Sequence, residues 1–570
     1  MTTDERSLAT WLATRDDAEL AETFAVRAVS PAAPWHDFFD AAAALLDAAS
    51  IDRALVTLPR PALAALAAAG PDARDVLAQA ALVGTSGAPY AAVADRVAAI
   101  VTSRPEAFTP VGPVLDPVPA DDAAAAAAAE RAFSTTGALA DLLVATEHAP
   151  LSRTGTGAVS AVDRRRLTDA GAVESPEELD DLVRVAAAAR LLVAVDREWM
   201  VSEAADRWLE SSTAERWSIL AEGLRDSLPA GLRTAAGGYL SPAAWPGAYP
   251  LDPEWPATAE QLDRIALRWG LITPDGAEPE WARSLRTGGA ADAASLAALL
   301  PAEIDRIYLQ ADLTAIAPGP LAPALDLRLR GIALRESRAQ ASTYRFTADS
   351  IVAGMNDGET ADSIRDFLAR LSLTGIPQPL DYLVATTASR HGLVRVGVDA
   401  TGLNTAVSST DPSVLDAVAV DQALRPLGLV HDGGRLLTRV GRDIVYWSLA
   451  DARYPVVAVD AEGRVEPVVR RRTRNGSAPE PVERSYASLV ARLRESHETD
   501  SDAAWLGREL EQAVRARSII AVAVRLPDGS ERSFTLEATG LGGGRLRGRD
   551  RGADIERTLP VSSIVSVKPV

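Results

Sequence analysis

The chain has 570 residues, 47% hydrophobic and 24% charged, a balance that supports several packed domains of roughly 100 to 200 residues and excludes wholesale disorder. Lys and Arg total 58 against 78 Asp and Glu, a net charge of -20, which excludes a purely electrostatic nucleic-acid binder but allows a basic patch on one module. There is no cysteine, and Lys568 is the only lysine, so thiol nucleophiles, disulfides and Cys-type zinc sites are excluded. The lone lysine follows no glycine-rich loop, which excludes a P-loop motor, a kinase-type phosphate lysine and a pyridoxal Schiff base.

The five histidines, His36, His148, His391, His431 and His497, fall at no metal-ligand spacing, and no G-x-S-x-G elbow occurs. The expectation is no metal, no cofactor and no catalytic constellation, hence no enzyme. The first residues, MTTDERSLATWLA, carry acids, and no uncharged apolar run reaches about 18 residues. A soluble, cytoplasmic protein without a membrane partner is expected.

In chain order, residues 1–104 read as an alanine-rich helical unit, winged-helix-like, and 105–120 as a Pro-rich connector. Asp121 and Asp122 are placed to cap the helix that follows. Within 121–225, Glu130 to Thr146 reads as a first helix, Ala161 to Ala170 as a second, and Ser175 opens a third through SPEELDDLV. Leu191 to Val195 and Glu198 to Ser202 flank Asp196-Arg197 as a hairpin. Three helices and a wing suit a DNA-docking module, with Arg164, Arg165 and Arg166 against phosphates. The acids Glu177, Glu178, Asp180 and Asp181 at the start of the third helix favour protein packing instead. A weak repeat of helix followed by hairpin recurs from Ala78, Ala266 and Ala423, and 226–300 reads as a partial winged-helix-like unit.

Residues 301–465 read as an α/β domain. A strand from Ile307 to Ile316 precedes a helix from Leu325 to Ile332. Tyr344-Arg345-Phe346 enters a helix capped by Thr347 or Ser350, Thr360 or Asp362 caps the next, and Leu380 to Ser389 forms another. Pro412 to Leu427 reads as a helix and Arg435 to Val440 as a strand. The phrases Gln310-Ala311-Asp312-Leu313-Thr314, Leu334-Arg335-Glu336-Ser337, Tyr344-Arg345-Phe346-Thr347, Pro377-Gln378-Pro379-Leu380-Asp381-Tyr382-Leu383 and Arg390-His391-Gly392 together resemble the N-terminal domain of XPB-type DNA-repair helicases, in the form used by an actinobacterial family of helicase-associated proteins. In such helicases a motor follows this domain; here the expectation is that none does. The resemblance implies a non-enzymatic DNA-associated accessory protein whose partners are DNA and a separately encoded XPB-like helicase, in DNA repair or transcription.

The basic run Arg470, Arg471, Arg472 and Arg474 lies in 466–501, read as linker and helix, and is open to both a solvated linker and a phosphate contact. Residues 502–570 read as a helix and five short strands, a small SH3-like β-barrel whose arrangement resembles a WYL-type domain without the Trp-Tyr-Leu triplet. Within it Arg545, Arg547, Arg549 and Arg551 alternate, which on a strand places them on one face. The fold class expected is thus α+β, mainly α, with tandem winged-helix-like modules, the XPB-N-terminal-like domain and the barrel. The arginines of the second helix, the basic run and the last hairpin are the candidate DNA contacts. A protein-interaction scaffold and a ligand-responsive WYL-type regulator stay open as alternatives.

Overall fold

The computed structural model describes residues 3–68, 73–110, 116–169, 172–338, 341–399, 402–460, 462–466, 482–499, 502–515, 517–526, 530–551, 553 and 555–569. It is a mixed α+β, multi-domain protein whose buried apolar side chains, among the described residues, gather into five separate cores.

The first core is helical, built from Thr3–Thr14 through Ala91–Ser103. Alanines at 41, 42, 54, 62 and 65 are buried in it, so helix axes approach closely over small side chains, and the alanine bias does packing as well as helix-forming work. Arg27 crosses this core at 1% exposure, donating to the carbonyl of Ala80 at 2.9 Å and to Ser50 Oγ at 2.7 Å. Burial, with Arg53 nearby, lowers its pKa to about 10.

A distant helix completes this core. Tyr486, Leu489, Val490 and Leu493 of Val482–Thr499 are buried within it. The Tyr486 hydroxyl donates to the carbonyl of Val29 at 2.7 Å, Arg492 Nε to that of Trp35 at 2.8 Å, and Arg494 Nη1 to that of Ala13 at 2.8 Å. Removing one buried hydrogen bond costs about 1 kcal/mol. Tyr486→Phe is therefore expected to destabilise the N-terminal unit by that amount in urea denaturation, whereas an unchanged midpoint would mean the helix does not dock in solution.

The second core runs from Ala128 to Leu296 without a break. Asp121 caps the helix Asp122–His148, accepting from the Ala124 N–H at 2.8 Å, so the alanine run and the expected first helix are one element. The strand Leu151–Ser152, the helices Ala161–Asp169 and Pro176–Ala188, and the hairpin Leu192–Val195 with Glu198–Val201 follow. Their three-stranded antiparallel sheet places the last strand in the middle. Asp196 turns the hairpin at φ 51°. Helices Thr213–Ser227, Trp255–Arg268 and Glu280–Arg286 close the unit over buried tryptophans, several of whose indole N–H groups are satisfied: Trp217 donates to the carbonyl of Trp269 at 2.8 Å and Trp281 to that of Gly270 at 2.8 Å.

The expected repeat ends in a second strand at two of its four places, the hairpin after Ala188 and the pair Val430–Asp432 with Arg435–Thr438. From Ala78 and Ala266 the turn leads instead into a helix start, at Ala91 and Glu280, with the antiparallel bridge of Val83 and Pro89 across the first turn. What recurs there is a five-residue turn. The N–H of the first residue donates to the carbonyl of the fifth at Gly84/Ala88, Thr154/Ala158, Thr234/Gly238 and Thr273/Ala277, at 2.8 to 3.0 Å. The fourth residue is each time a glycine at positive φ, Gly87, Gly157, Gly237 and Gly276, where a Cβ would be strained.

The third core carries a four-stranded antiparallel sheet in the order Tyr308–Leu309, Thr314–Ala317, Ser342–Arg345, Leu334–Arg338, covered by helices Pro323–Ile332, Ala348–Asn356, Ala361–Leu371 and Gln378–Arg390. The expected strand from Ile307 to Ile316 is split in two at Leu313, which turns at φ 66°. Thr347 and Thr360 both form capping boxes, with Ser350 and Ser363. A fourth core packs helices Pro412–Val420 and Arg442–Asp451 on a five-stranded sheet in which Val456–Ala458 runs parallel to Val394–Val398.

The helix Asp502–Arg515 packs on the last sheet, ordered Ile555–Pro560, Arg545–Asp550, Glu531–Gly542, Ile519–Arg525, Ile564–Pro569. The expected barrel is corrected here. Among the described residues the two outer strands, linked by the 3-10 turn Val561–Ser563, do not pair, so the sheet does not close.

Candidate nucleic-acid interface

The last sheet arranges its arginines as the alternation demands. Arg545, Arg547 and Arg549 are exposed, and Leu546, Gly548 and Asp550 between them are buried. Gly543 and Gly544, both at positive φ, make the tight turn that starts the strand. In register, Arg547 lies between Gly540 and Thr558, and Arg545 between Gly542 and Pro560. Neither forms an ion pair among the described residues, so their charge is open to solvent. Arg549 lies between Glu537 and Glu556 in register, and Arg551 pairs with Glu537 at 3.1 Å. Positive potential is therefore concentrated at the glycine-turn end.

The neighbouring strands support this surface. Arg557 lies over the Phe534 ring at 4.8 Å and Arg532 at 5.5 Å, and Arg557 Nε donates to the buried Asp550 at 2.6 Å. Phe534 and Asp550 thus fix two further cations beside the row.

The other expected contacts are placed differently. Arg164 is held by Asp180 through two hydrogen bonds of 2.7 and 2.6 Å, a bidentate pair that ties the second helix to the third. Arg166 pairs with Asp163 at 3.1 Å. Arg165 is exposed and forms no ion pair among the described residues. Arg470, Arg471, Arg472 and Arg474 lie outside the described residues. No described contact joins the Arg164–Arg166 segment to the Arg545 row.

The third helix of the central unit presents little surface. Leu179, Leu182, Val183, Val185 and Ala186 are buried, and so are its acids Glu178 and Asp181. Arg264, from helix Trp255–Arg268, grips Asp181 with hydrogen bonds of 2.7 and 2.9 Å, and Arg268 lies 3.3 Å from it. Of the acids that the sequence sets against phosphate, Glu178, Asp180 and Asp181 are ion-pair partners of Arg268, Arg164 and Arg264, and Glu177 stays exposed; the helix is covered where a groove-reading helix would be bare.

Asp163 is buried; against that burial, the Ser152 N–H, the Ser160 hydroxyl and Arg166 together hold its carboxyl below the usual carboxylate range. His391, at the end of helix Gln378–Arg390, pairs through Nε2 with Asn356 Oδ1 at 2.9 Å. Burial lowers its pKa. The unfolded chain therefore takes up a proton first as pH falls, so stability is complete above the ordinary histidine value of about 6.5 and is lost below it. The melting midpoint is expected to fall between pH 8 and pH 5 by more in the native chain than in His391→Gln; equal falls would contradict this.

Among the described residues no group of three or more His, Asp or Glu could hold a metal ion, and no helix is long and apolar enough to cross a membrane. One cluster is invisible in the sequence, five arginines around a cavity between the central unit and the sheet of Ser342–Arg345. They come from five elements, and no local motif links them.

Residues 307–432 match the family described as helicase conserved C-terminal domain. No curated protein matches the chain. The matched span takes in the whole four-stranded sheet and stops short of Arg435–Thr438 and Val456–Ala458, which complete the five-stranded one. Covering less than a quarter of the chain, it marks this α/β region, built on the Ser342–Arg345 and Thr405–Ser409 sheets, as a helicase-associated domain.

Proposed function

We propose that the protein is a non-enzymatic, DNA-associated accessory factor that works beside a separately encoded XPB-like helicase in DNA repair or transcription. The observation that carries this reading is the exposed row Arg545, Arg547 and Arg549 on one face of the last sheet, a surface able to track phosphates in an otherwise acidic chain. The strand order and the 3-10 turn before the last strand favour an SH3-like, WYL-like module. The helix–strand–helix–helix–hairpin order of residues 122–201 favours a winged-helix module, here serving as packing scaffold. The helicase-associated domain is read as XPB-N-terminal-like.

A second reading, a scaffold without DNA affinity of its own, is favoured by the covered third helix. The two are separated by titrating labelled duplex, forked and single-stranded DNA with the protein while assaying phosphate release from ATP. Binding without turnover is expected. Turnover would overturn the non-enzymatic reading, and no binding at low salt would favour the scaffold.

A further inference from the structure

A cavity of about 550 Å³ lies between helix Asp122–His148 of the central unit and the helicase-associated domain. Small-molecule sites span roughly 300–1,000 Å³. Arg131, Arg216, Arg268, Arg330 and Arg335 line it. Each is held from behind. Arg131 Nε donates to the carbonyl of Leu267 at 3.2 Å, and Arg216 Nε to that of Trp208 at 3.0 Å while lying over its ring at 5.2 Å. Arg330 and Arg335 reach across to Asp141 at 2.8 and 3.3 Å, and Arg335 Nη2 donates to Ser342 Oγ at 3.1 Å. Arg268 lies 3.3 Å from Asp181 and 3.6 Å from Glu178.

The carboxylates of the walls are already engaged. Asp326 accepts from the Tyr344 hydroxyl and lies 3.7 Å from Arg330, and Glu178 accepts from the Glu174 N–H at 2.5 Å. The remaining lining acids, Glu130 and Glu174, sit at exposed positions, whereas Arg216 is only 8% exposed. Cations therefore occupy the deep side and free carboxylates the outside. Donor capacity also exceeds acceptor capacity: Arg131 Nη2 and Arg335 Nε are buried without hydrogen-bond partners. Burial lowers the pKa of Arg131 and takes that of Arg216 to about 10, a cost that an incoming anion offsets.

We infer that this cavity binds a small phosphorylated organic molecule. Guanidinium groups match phosphate oxygens in number and geometry. The space is more than a bare phosphate needs and far less than a duplex occupies. Phe133 and Leu321 in the lining offer contact to an organic moiety. Nothing in this site depends on DNA binding by the last sheet.

Calorimetric titration of the full chain with AMP and with pyrophosphate, each against chloride at matched ionic strength, tests it. AMP is expected to bind, more tightly than pyrophosphate, with affinity lowered tenfold or more in Arg131→Gln and largely restored in Arg131→Lys. Ser134→Trp narrows the exposed side of the cavity without removing a cation, and is expected to weaken binding in a protein that melts like the native one. Absence of AMP binding, with or without pyrophosphate binding, or equal affinity in native, Arg131→Gln and Ser134→Trp proteins, overturns the site. Loss of duplex DNA binding in Arg131→Gln would also overturn it, by making the cavity part of a nucleic-acid groove.

Discussion

Replacing Arg545, Arg547, Arg549 and Arg551 together by Glu is expected to abolish DNA binding while leaving the fold intact. The first three side chains are exposed and alternate with the buried residues that hold the strand, so charge reversal leaves the core untouched, and Arg549→Glu, between Glu537 and Glu556, adds a like-charge cost of about 0.2–1 kcal/mol per pair. Arg551 gives up only its solvent-exposed pair with Glu537, and such pairs contribute about 0 to 1 kcal/mol. On the DNA side the effect is large. Each neutralised phosphate contributes about 0.9 to the slope of log affinity against log salt. Arg545 and Arg547 account for about 1.8 of that slope, and Arg549 and Arg551, beside Glu537, raise it to at most about 3.6; reversal adds repulsion, so a drop of about 100-fold at low salt is expected. Arg164→Glu is the informative control. Its guanidinium is spent on Asp180, so it should reduce stability and leave DNA affinity nearly unchanged. Retained affinity in the fourfold variant would move the interface elsewhere.

Asp181→Ala is expected to be the most damaging single change in the central unit. Asp181 is fully buried and accepts two hydrogen bonds from Arg264 and one from Gln261 at 3.3 Å, with Arg268 beside it. Breaking a buried pair by removing one partner costs about 3–5 kcal/mol. The arginines left behind keep some access to water, at 32% and 26% side-chain exposure, so the low end, about 3 kcal/mol, is expected. For a unit of this size that corresponds to a fall in melting midpoint of about 6–12 °C. A fall under about 2 °C would mean that helix Trp255–Arg268 does not cover the third helix in solution.

These two positions also mark where sequence reading succeeds and where it stops. Asp121, Ser175, Thr347 and Thr360 are legible as caps because a cap is satisfied within three residues. The Arg545 row is legible because alternation on a strand is local geometry. The strand Leu334–Arg338 is not, since LRESR has no apolar alternation and gains its ladder from Ser342–Arg345. Asp181 reads as a repulsive surface acid because the arginine that neutralises it arrives 83 residues later. Likewise the docking of Tyr486 depends on Val29, 457 residues away. The charge of Arg164 is legible, but its availability is not, because Asp180 lies on another helix. The cavity arginines are the extreme case. Each looks like an ordinary surface residue in its own segment, and only the meeting of two domains brings them together.

The central claim is that exposed arginines on the last sheet make an acidic protein bind DNA. Its most direct test is the salt dependence of fluorescence-anisotropy binding to duplex DNA, measured for the native chain. With two to four phosphates neutralised, affinity is expected to fall about 12- to 150-fold for a fourfold rise in salt. Affinity that does not change with salt, or no binding at the lowest salt, would contradict that claim.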